Sequence, residues 1–444
     1  MIVMKFGGSS VANAERIRHV ASIIGAYQDK RPVVVLSAMG DTTDHLLEAA
    51  DEAVAGNADI SRIEKLHRDT ADSLGLSGTD LQAVDALLSE LYALLTGISM
   101  IRELTKRTRD YLVSFGERLS VRIVAAFLQS QGIPARFYDA WDAGLISDSV
   151  FMNAELSDDV WETIPEALGS YRDGIQKEIP VVTGFIAKDM NGNITTLGRG
   201  GSDLTATMIG AALQAEEIQT WKDVDGILSA DPRIVARAKT VPLVTYEEAA
   251  ELAYFGAQIL HPRSMVPCRK AGIPVRVKNS YNPAFEGSLI IEKHTAEPSP
   301  VRAITAVKNS TLIDIVSTRM LGASGFLARI FDLFLKHDIS IDVIATSEVS
   351  VSLTVHTNAD LSGLVEDLKD IADIRVKTGR SIITLICDAA HSSSILASAF
   401  SALAENGINP EMISQGASKV NVGLVCENTL ADKTVRTLHA AFFE

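Results

Sequence analysis

The stretch Thr196-Leu-Gly-Arg-Gly-Gly-Ser-Asp-Leu-Thr-Ala206 decides how the rest of the chain is read. It follows the turn pair Asn191-Gly192 and the β-branched run Asn193-Ile-Thr-Thr196. It precedes Leu204 to Ala215, small and apolar residues at helical spacing. That order is a strand, a glycine turn and the start of a helix. Gly198, Gly200 and Gly201 leave the backbone bare, so a ligand can approach and positive φ is permitted. Ser202 and Asp203 stand where N-caps stand, and the free N–H groups of a helix start favour an anion. Arg199 offers a planar fork suited to a carboxylate. Taken alone, the stretch reads equally as a tight strand–helix turn with a solvated arginine.

A second glycine turn tips the balance. Ile2-Val-Met-Lys-Phe6 is strand-like, Gly7-Gly8-Ser9-Ser10 follows, and Ala12 to Ile24 has helical spacing. Lys5 ends the strand, and backbone N–H groups beside one lysine make a phosphate cradle. Neither the Gly-x-x-x-x-Gly-Lys-Ser/Thr loop nor the Gly-x-Gly-x-x-Gly pattern is present. One cradle for phosphate and one for carboxylate suggest phosphoryl transfer to a small acid.

Lys5-Phe-Gly-Gly-Ser-Ser10, Ser114-Phe-Gly-Glu117, Thr196-Leu-Gly-Arg-Gly-Gly-Ser-Asp203 and Phe255-Gly-Ala-Gln-Ile-Leu-His-Pro262 stand in the order seen in aspartate kinases. The chain resembles that family from end to end. The resemblance implies an α/β protein: an amino acid kinase fold, with a mainly parallel central sheet and helices on both faces, followed by two ferredoxin-like ACT domains. It implies the first step of lysine, threonine and methionine biosynthesis, with ATP and Mg²⁺ and L-aspartate as acceptor.

The chain has 444 residues, enough for more than one domain. Its net charge of −15 argues against nucleic acid and anionic membrane surfaces as partners. Cys268, Cys387 and Cys426 are far apart, show no ligand spacing and read as buried free thiols. No dedicated protein metal site is expected. Lys5 and the glycines interrupt any signal-peptide pattern, and no apolar run approaches the roughly 20 residues of a membrane span. The expectation is a soluble, cytoplasmic protein.

Pro32-Val-Val-Val-Leu-Ser37 reads as a strand buried on both faces, and Ala38 to Asp44 as the polar turn at its carboxyl end. Thr43 reads there as a helix cap; the resemblance makes it a substrate contact. Residues 45–130 are expected to be mostly helical, with turns at Gly75 to Gly78 and near Gly97. His67-Arg-Asp69 looks like a protein-kinase catalytic loop, but position 74 is Leu rather than Asn, so a solvated helix face is the better reading. Glu117 reads as a first-turn carboxylate just ahead of a helix. The resemblance instead assigns it to the α-ammonium of aspartate.

Pro180 to Ile186, Ile218 to Lys222, Ile273 to Val277 and Ser288 to Ile291 are further strands. The resemblance places Lys222, Asp223, Leu228, Arg233, Gln258 and Ile259 around ATP, with Lys5, Gly7, Gly8 and Ser9 on its phosphates. Leu228 stands where the family often has Tyr, and Gln258 where it often has Lys. His261 reads as structural. Arg199, with Gly200, Gly201 and Ser202, is expected to clamp the substrate α-carboxylate. Asp203 either orients Lys5 or is a plain N-cap. The acceptor carboxylate is ionised at neutral pH, so the transfer needs no general base.

Two prolines in Thr295-Ala-Glu-Pro-Ser-Pro-Val301 mark a linker, and an internal repeat follows. Thr311 to Thr378 reads βαββαβ; Ser381 to Phe442 repeats it but stops after the second helix. Ala303-Ile-Thr-Ala-Val-Lys308 is left over to supply the missing strand. The expected domains are therefore 1–294 for the kinase, 295–302 for the linker, 310–378 for an inserted first ACT domain, and 303–309 with 379–444 for the second. By resemblance to lysine-sensitive aspartate kinases, Met320, Ser324, Gly325, Phe326, Leu327, Ser340, Asp342, Thr346, Ser347 and Glu348 form an effector site for lysine. Gly322 and Ala323 depart from that pattern. ACT units imply a homodimer or a larger oligomer. Glutamate and N-acetylglutamate kinases are the nearest rivals, followed by an amino-acid-binding regulator whose kinase site has decayed. A fused homoserine dehydrogenase is not expected at this length.

Overall fold

The computed structural model describes residues 1–256, 260–294, 300–320, 324–356, 360–387, 391–416 and 420–444. The chain divides into two compact units. One is Met1–Ile227, Pro242–Tyr246 and Ile259–Lys293; the other is Leu228–Val241, Glu247–Gln258 and His294–Glu444.

In the first unit the elements are β1 (Ile2–Phe6), α1 (Ala14–Ala26), β2 (Pro32–Leu36), α2 (Thr42–Val54), α3 (Ser61–Ser73), α4 (Gln82–Ile101), α5 (Lys106–Ser130), β3 (Ala135–Tyr138), β4 (Ile146–Ser147), α6 (Val160–Arg172), β5 (Ile179–Thr183), β6 (Ile186–Asp189), β7 (Ile194–Thr196), α7 (Gly201–Ala212), β8 (Glu217–Lys222) and β9 (Leu243–Thr245). After α8 (Tyr246–Tyr254) come α9 (Pro262–Ala271), β10 (Val275–Asn279) and β11 (Ser288–Ile291). The eight-stranded sheet runs β3-β5-β2-β1-β8-β10-β11-β9. Its strands are parallel except for the antiparallel pair β10 and β11. All five residues of β1, β2 and β5 are buried, which accounts for their uninterrupted apolar runs. From β1 the chain builds first toward β2 and later toward β8, so a crevice opens at the carboxyl ends of β1, β2 and β8. A small sheet, β4-β6-β7, carries the hairpin leading into Thr196.

Three expectations are corrected here. Gly97 is no turn but lies inside α4, which ends at Arg102 in the left-handed conformation, φ 55°. Glu117 does not open a helix; it sits in the middle of α5, whose residues Leu112 to Val121 are all buried. Gly116 is not a break because helix-on-loop packing requires it: a Cβ there would come within 2.7 Å of Ala38 Cβ. Burial drives His67 to the inside of α3, where it is 0% exposed and its Nδ1 bonds to Ile63 O at 2.7 Å; only its neighbours face solvent. The helix Gly78–Ile101 is long and apolar enough to cross a membrane by length and composition alone. Its Val84, Leu87, Leu88, Leu91, Leu95 and Ile98 are buried, and it packs on α2 and α5.

The second unit holds β12 (Val301–Val316), α10 (Phe326–Lys336), β13 (Ile341–Thr346), β14 (Ser350–His356), α11 (Ser362–Lys369), β15 (Asp373–Cys387), α12 (Ser392–Glu405), β16 (Met412–Ser414), β17 (Asn421–Glu427) and α13 (Ala431–Phe443). They form one antiparallel sheet ordered β13-β14-β12-β15-β17-β16. Two long strands are shared between the repeats. Ser310 to Val316 of β12 pairs with β14, whereas Val301 to Val307 pairs with Ile382 to Cys387 of β15, next to β17. The leftover strand thus lies in the second repeat's half of the sheet. Two segments ahead of residue 294 also pack in this unit. Ala230 and Val235 enter the core with Val301, Ile304 and Ile383, and Ile304 N donates to Ser229 O at 2.8 Å. Phe255, just after α8, joins Leu312, Val343 and Ile382. Of the linker, 295–299 lies outside the described residues.

Candidate functional site

Both glycine turns open into one cavity of about 570 Å³ at the crevice of the parallel sheet. It is lined by Lys5, Gly8, Ser37, Ala38, Gly40, Thr43, Glu117, Phe185, Gly198, Arg199, Gly200, Gly201, Ser202 and Asp203. Lys5 is 7% exposed, and its Nζ lies 2.9 Å from Asp203 Oδ1. Lys222, the last residue of β8, places its Nζ 3.8 Å from Asp203 Oδ2. The parallel register of β1 and β8 delivers both ammonium groups to the start of α7. Burial pushes the Asp203 carboxyl upward, but the charges of Lys5 and Lys222 outweigh it and hold the group below the usual carboxylate range. Burial lowers Lys222, with Asp203 opposing.

Ser202 and Asp203 are not the N-cap. Gly200 is, with φ 76°, and α7 starts at Gly201 without a side-chain cap bond. A Cβ at Gly200 would come within 2.5 Å of His261 Cβ, so both the backbone angle and the packing demand glycine. Freed from capping, the Asp203 side chain turns to Lys5. His261 caps α9 through Nδ1, which accepts from Arg263 N at 3.3 Å. Arg263 donates to Leu197 O at 3.1 Å and Ala154 O at 2.8 Å, fastening the loop from outside.

Glu117 is 3% exposed. Its Oε1 accepts from Ala38 N at 3.1 Å, and its Oε2 is buried without a hydrogen-bond partner. Burial drives its pKa up to about 8, against the lowering by Ala38 N–H and Lys5. A buried carboxyl with one unmet oxygen on a cavity wall suits a ligand cation.

Of the expected site residues, Lys5, Gly8, Thr43, Glu117, Arg199, Gly200, Gly201, Ser202 and Asp203 share this cavity, and Lys222 joins through Asp203. Gly7, Ser9 and Asp223 are not in its lining; Ser9 and Asp223 are exposed. Leu228 makes a lone bridge with Thr240 in the other unit. Arg233 is exposed and turned onto Asp231, with Nη2 to Oδ2 at 2.7 Å. Gln258 and Ile259 lie outside the described residues.

Sequence reasoning missed Ser37, Gly40, Phe185 and Asp110. Ser37 Oγ donates to Ser202 Oγ at 3.1 Å, joining the β2 turn to α7. Phe185 holds φ 69°, unusual for a bulky residue, and packs where Gly201 leaves room. Asp110, on α5, is 1% exposed and accepts from Met152 N at 2.8 Å, Thr196 N at 2.9 Å and Thr196 Oγ1 at 2.8 Å. It holds the strand end from which the 198–203 loop departs. No local signal set it apart: it follows the basic run Lys106-Arg-Thr-Arg109 and reads as an ordinary helix-surface acid.

The ten effector-site residues lie in the second unit. Gly325, φ 81°, opens α10, and Phe326 is buried in the first repeat's core. Met320 is half-buried; Ser324, Leu327, Ser340, Thr346, Ser347 and Glu348 are exposed. Asp342 Oδ1 accepts from Tyr254 Oη at 3.1 Å, while Oδ2 is buried without a partner and burial raises the carboxyl's pKa. Gly322 and Ala323 lie outside the described residues.

The amino acid kinase family model matches residues 1–279, and an ACT domain model matches 313–360 and 389–442. Aspartokinase 1, chloroplastic, of Arabidopsis thaliana is 49% identical over 100% of this chain and 80% of its own length. Lysine-sensitive aspartokinase 3 of Escherichia coli is 32% identical over 100% of this chain and 99% of its own. The crystal structure of E. coli aspartokinase III in complex with aspartate and ADP matches with a TM-score of 0.79 at 30% identity, covering 100% of both chains. Clostridium acetobutylicum aspartate kinase matches with a TM-score of 0.84 at 27% identity, again over 100% of both. With sequence, domain order and fold in agreement over its whole length, the chain belongs to the aspartokinases of the amino acid kinase family.

Proposed function

We propose that the cavity holds L-aspartate against the γ-phosphate of ATP and passes the phosphoryl group to the β-carboxylate, giving 4-phospho-L-aspartate and ADP. This is the step that commits aspartate to lysine, threonine and methionine. One observation carries the reading: the buried Glu117, with its unmet Oε2, shares a cavity with Arg199 and with the Lys5–Asp203 pair. Glu117 receives the α-ammonium, and the Arg199 fork receives the α-carboxylate. The acceptor carboxylate needs no base. Its oxygen forms the new P–O bond as the bond from the γ-phosphorus to the bridging oxygen breaks, and ADP leaves with that electron pair. Lys5 neutralises charge on the transferring group, Asp203 holds its ammonium in place, and Lys222 adds charge toward the nucleotide. Mg²⁺ enters with the nucleotide's phosphates as part of the substrate. Among the described residues no group of three or more His, Cys, Asp or Glu is gathered to hold a metal. The E. coli relative solved with aspartate and ADP supports this pairing of ligands. A coupled ADP-release assay with L-aspartate, L-glutamate and N-acetyl-L-glutamate tests it. Aspartate is expected to be the preferred acceptor; preference for either alternative, or no ADP release at all, overturns the reading.

In the same reading lysine is the feedback effector, bound beside Asp342 with its ammonium on the unmet Oδ2. An E. coli aspartokinase III structure in complex with lysine and aspartate, TM-score 0.76 at 31% identity, supports it. A homodimer or larger assembly goes with this. Leu327, Phe331 and Leu335 lie 38%, 40% and 79% exposed along α10, a stripe suited to a second copy.

A further inference from the structure

The first unit has a second cavity, of about 520 Å³, within the size range of small-molecule sites. None of its residues lines the cavity around Glu117. Its walls come from α4 and the first half of α5, from Trp141, and from the β6–β7 hairpin. Three cations line it, Arg107, Arg118 and Lys188, against one acid, Glu90. In a chain of net charge −15 this is a local reversal of sign. The aromatic surfaces of Tyr111 and Trp141 complete the lining, with Lys188 Nζ 4.2 Å from the Trp141 ring centre.

Arg118 is the telling residue. It is 9% exposed, and its Nε and Nη1 are buried without hydrogen-bond partners. Both acids near it are engaged elsewhere. Asp139 lies 3.6 Å from Nε but accepts two bonds from Arg122, at 2.9 Å and 3.0 Å. Glu90 lies 3.6 Å from Nη2 and accepts a bond from Tyr111 Oη. At 3.6 Å neither contact is a hydrogen bond. A buried guanidinium with unmet donors is costly unless something else meets it.

We propose that this cavity binds a small organic anion, an oxyanion on a flat apolar body, and that its occupancy is felt at the catalytic loop. The oxyanion lies among Arg107, Arg118 and Lys188, and the apolar body against Trp141 and Tyr111. Two elements are shared with the catalytic cavity. Helix α5 presents Tyr111 and Arg118 here, Asp110 to Thr196, and Glu117 to the other cavity. The hairpin presents Lys188, Asn193 and Ile194 here and runs directly into Thr196. A ligand that shifts either element therefore shifts the strand end that carries Gly198 to Asp203.

Aryl phosphates and aryl carboxylates of this shape share the same recognition chemistry, so the test uses one probe of each kind. Phenyl phosphate and benzoate are titrated by calorimetry into the full chain saturated with ADP and L-aspartate, with inorganic phosphate as a third arm. Saturable binding of an aromatic probe is expected, weakened at least about tenfold in both Lys188→Ala and Arg107→Ala. Whichever aromatic probe binds more tightly identifies the oxyanion. No saturable binding of either, or unchanged binding in both variants, overturns the site. Inorganic phosphate binding as tightly as phenyl phosphate overturns the apolar half. The bound probe is expected to change the KM for aspartate in wild type but not in Lys188→Ala; an unchanged KM in wild type overturns the coupling.

Discussion

Glu117 links the chemistry of the site to its energetics. With a pKa raised from 4.5 to about 8 by burial, this carboxyl is mostly protonated at neutral pH before a substrate cation reaches it. An aspartate ammonium binds the ionised form, so substrate binding should release close to about one proton per site at pH 7. Calorimetry in two buffers of different ionisation enthalpy measures this directly; no buffer dependence would remove Glu117 from the ammonium site. The sign for stability follows from the same shift. A raised folded-state pKa contributes stability that is full below 4.5 and is lost as pH rises through about 8. Glu117→Gln should therefore lose aspartate turnover yet be less sensitive to alkali than wild type, by roughly 3 kcal/mol between pH 6 and pH 9. Melting temperatures of both proteins at pH 6 and pH 9 test it; parallel declines would contradict the raised pKa. For Lys5, alanine removes charge from a preformed site, and kcat should fall more than about 100-fold with the fold retained. A fall of less than about tenfold, worth about 1.4 kcal/mol, would exclude Lys5 from the transfer path.

At the scale of elements, the catalytic loop is set by what surrounds it. Asp110 accepts three hydrogen bonds at the end of β7. Asp110→Ala leaves Met152 N and Thr196 N without their acceptor, which should cost about 1–3 kcal/mol of stability and raise the KM for aspartate. Chemical denaturation beside steady-state kinetics checks both; an unchanged KM would confine Asp110 to folding. Helix α8 offers a second case. Its Tyr254 Oη bonds to Asp342, and seven residues further along the chain stands His261, whose side chain packs against Gly200. With lysine on Asp342 Oδ2, Tyr254→Phe opens Oδ1 to the same ammonium, which can then bridge both oxygens. Half-maximal inhibition should then come at a severalfold lower lysine concentration, with kcat unchanged in its absence. An unaltered inhibition curve would show that Tyr254 and lysine do not compete.

At the scale of the whole molecule, the chain passes between the two units four times ahead of the passage at residues 293–294, rather than through one linker. The segments 228–241 and 247–258 belong by their cores to the unit that holds the ACT repeats, and they lead along the chain into β9 and α9 of the kinase unit. Inhibition requires that lysine bind two arrangements of the protein with different affinity. Lysine and threonine titrated into the kinase assay, with wild type and Asp342→Ala side by side, test this. Lysine is expected to inhibit wild type and to lose that effect in the variant. No inhibition of wild type, or equal inhibition of both, would refute the effector reading.

The amino-acid sequence by itself determined the parallel core strands, both glycine turns, the two repeats and the strand borrowed across them. Each is a local pattern: an apolar run, a turn residue or a period of alternation. It also pointed to Lys5, Arg199 and Asp203, because residues of that chemistry stand at the carboxyl end of a strand or beside glycines; Glu117 was reached only through the resemblance to the aspartate kinases. Tertiary structure alone decided the rest. Gly116 and Gly97 carry the same letter, but neither is a turn, and one is small only because Ala38 packs against it. Glu117 became a buried, half-satisfied acid because α5 is enclosed along its middle, which helical periodicity does not reveal. Asp203 became the partner of Lys5 rather than a cap because Gly200 took the cap position. The division of 228–258 between units was equally hidden, since which core an apolar residue joins depends on partners distant in the chain.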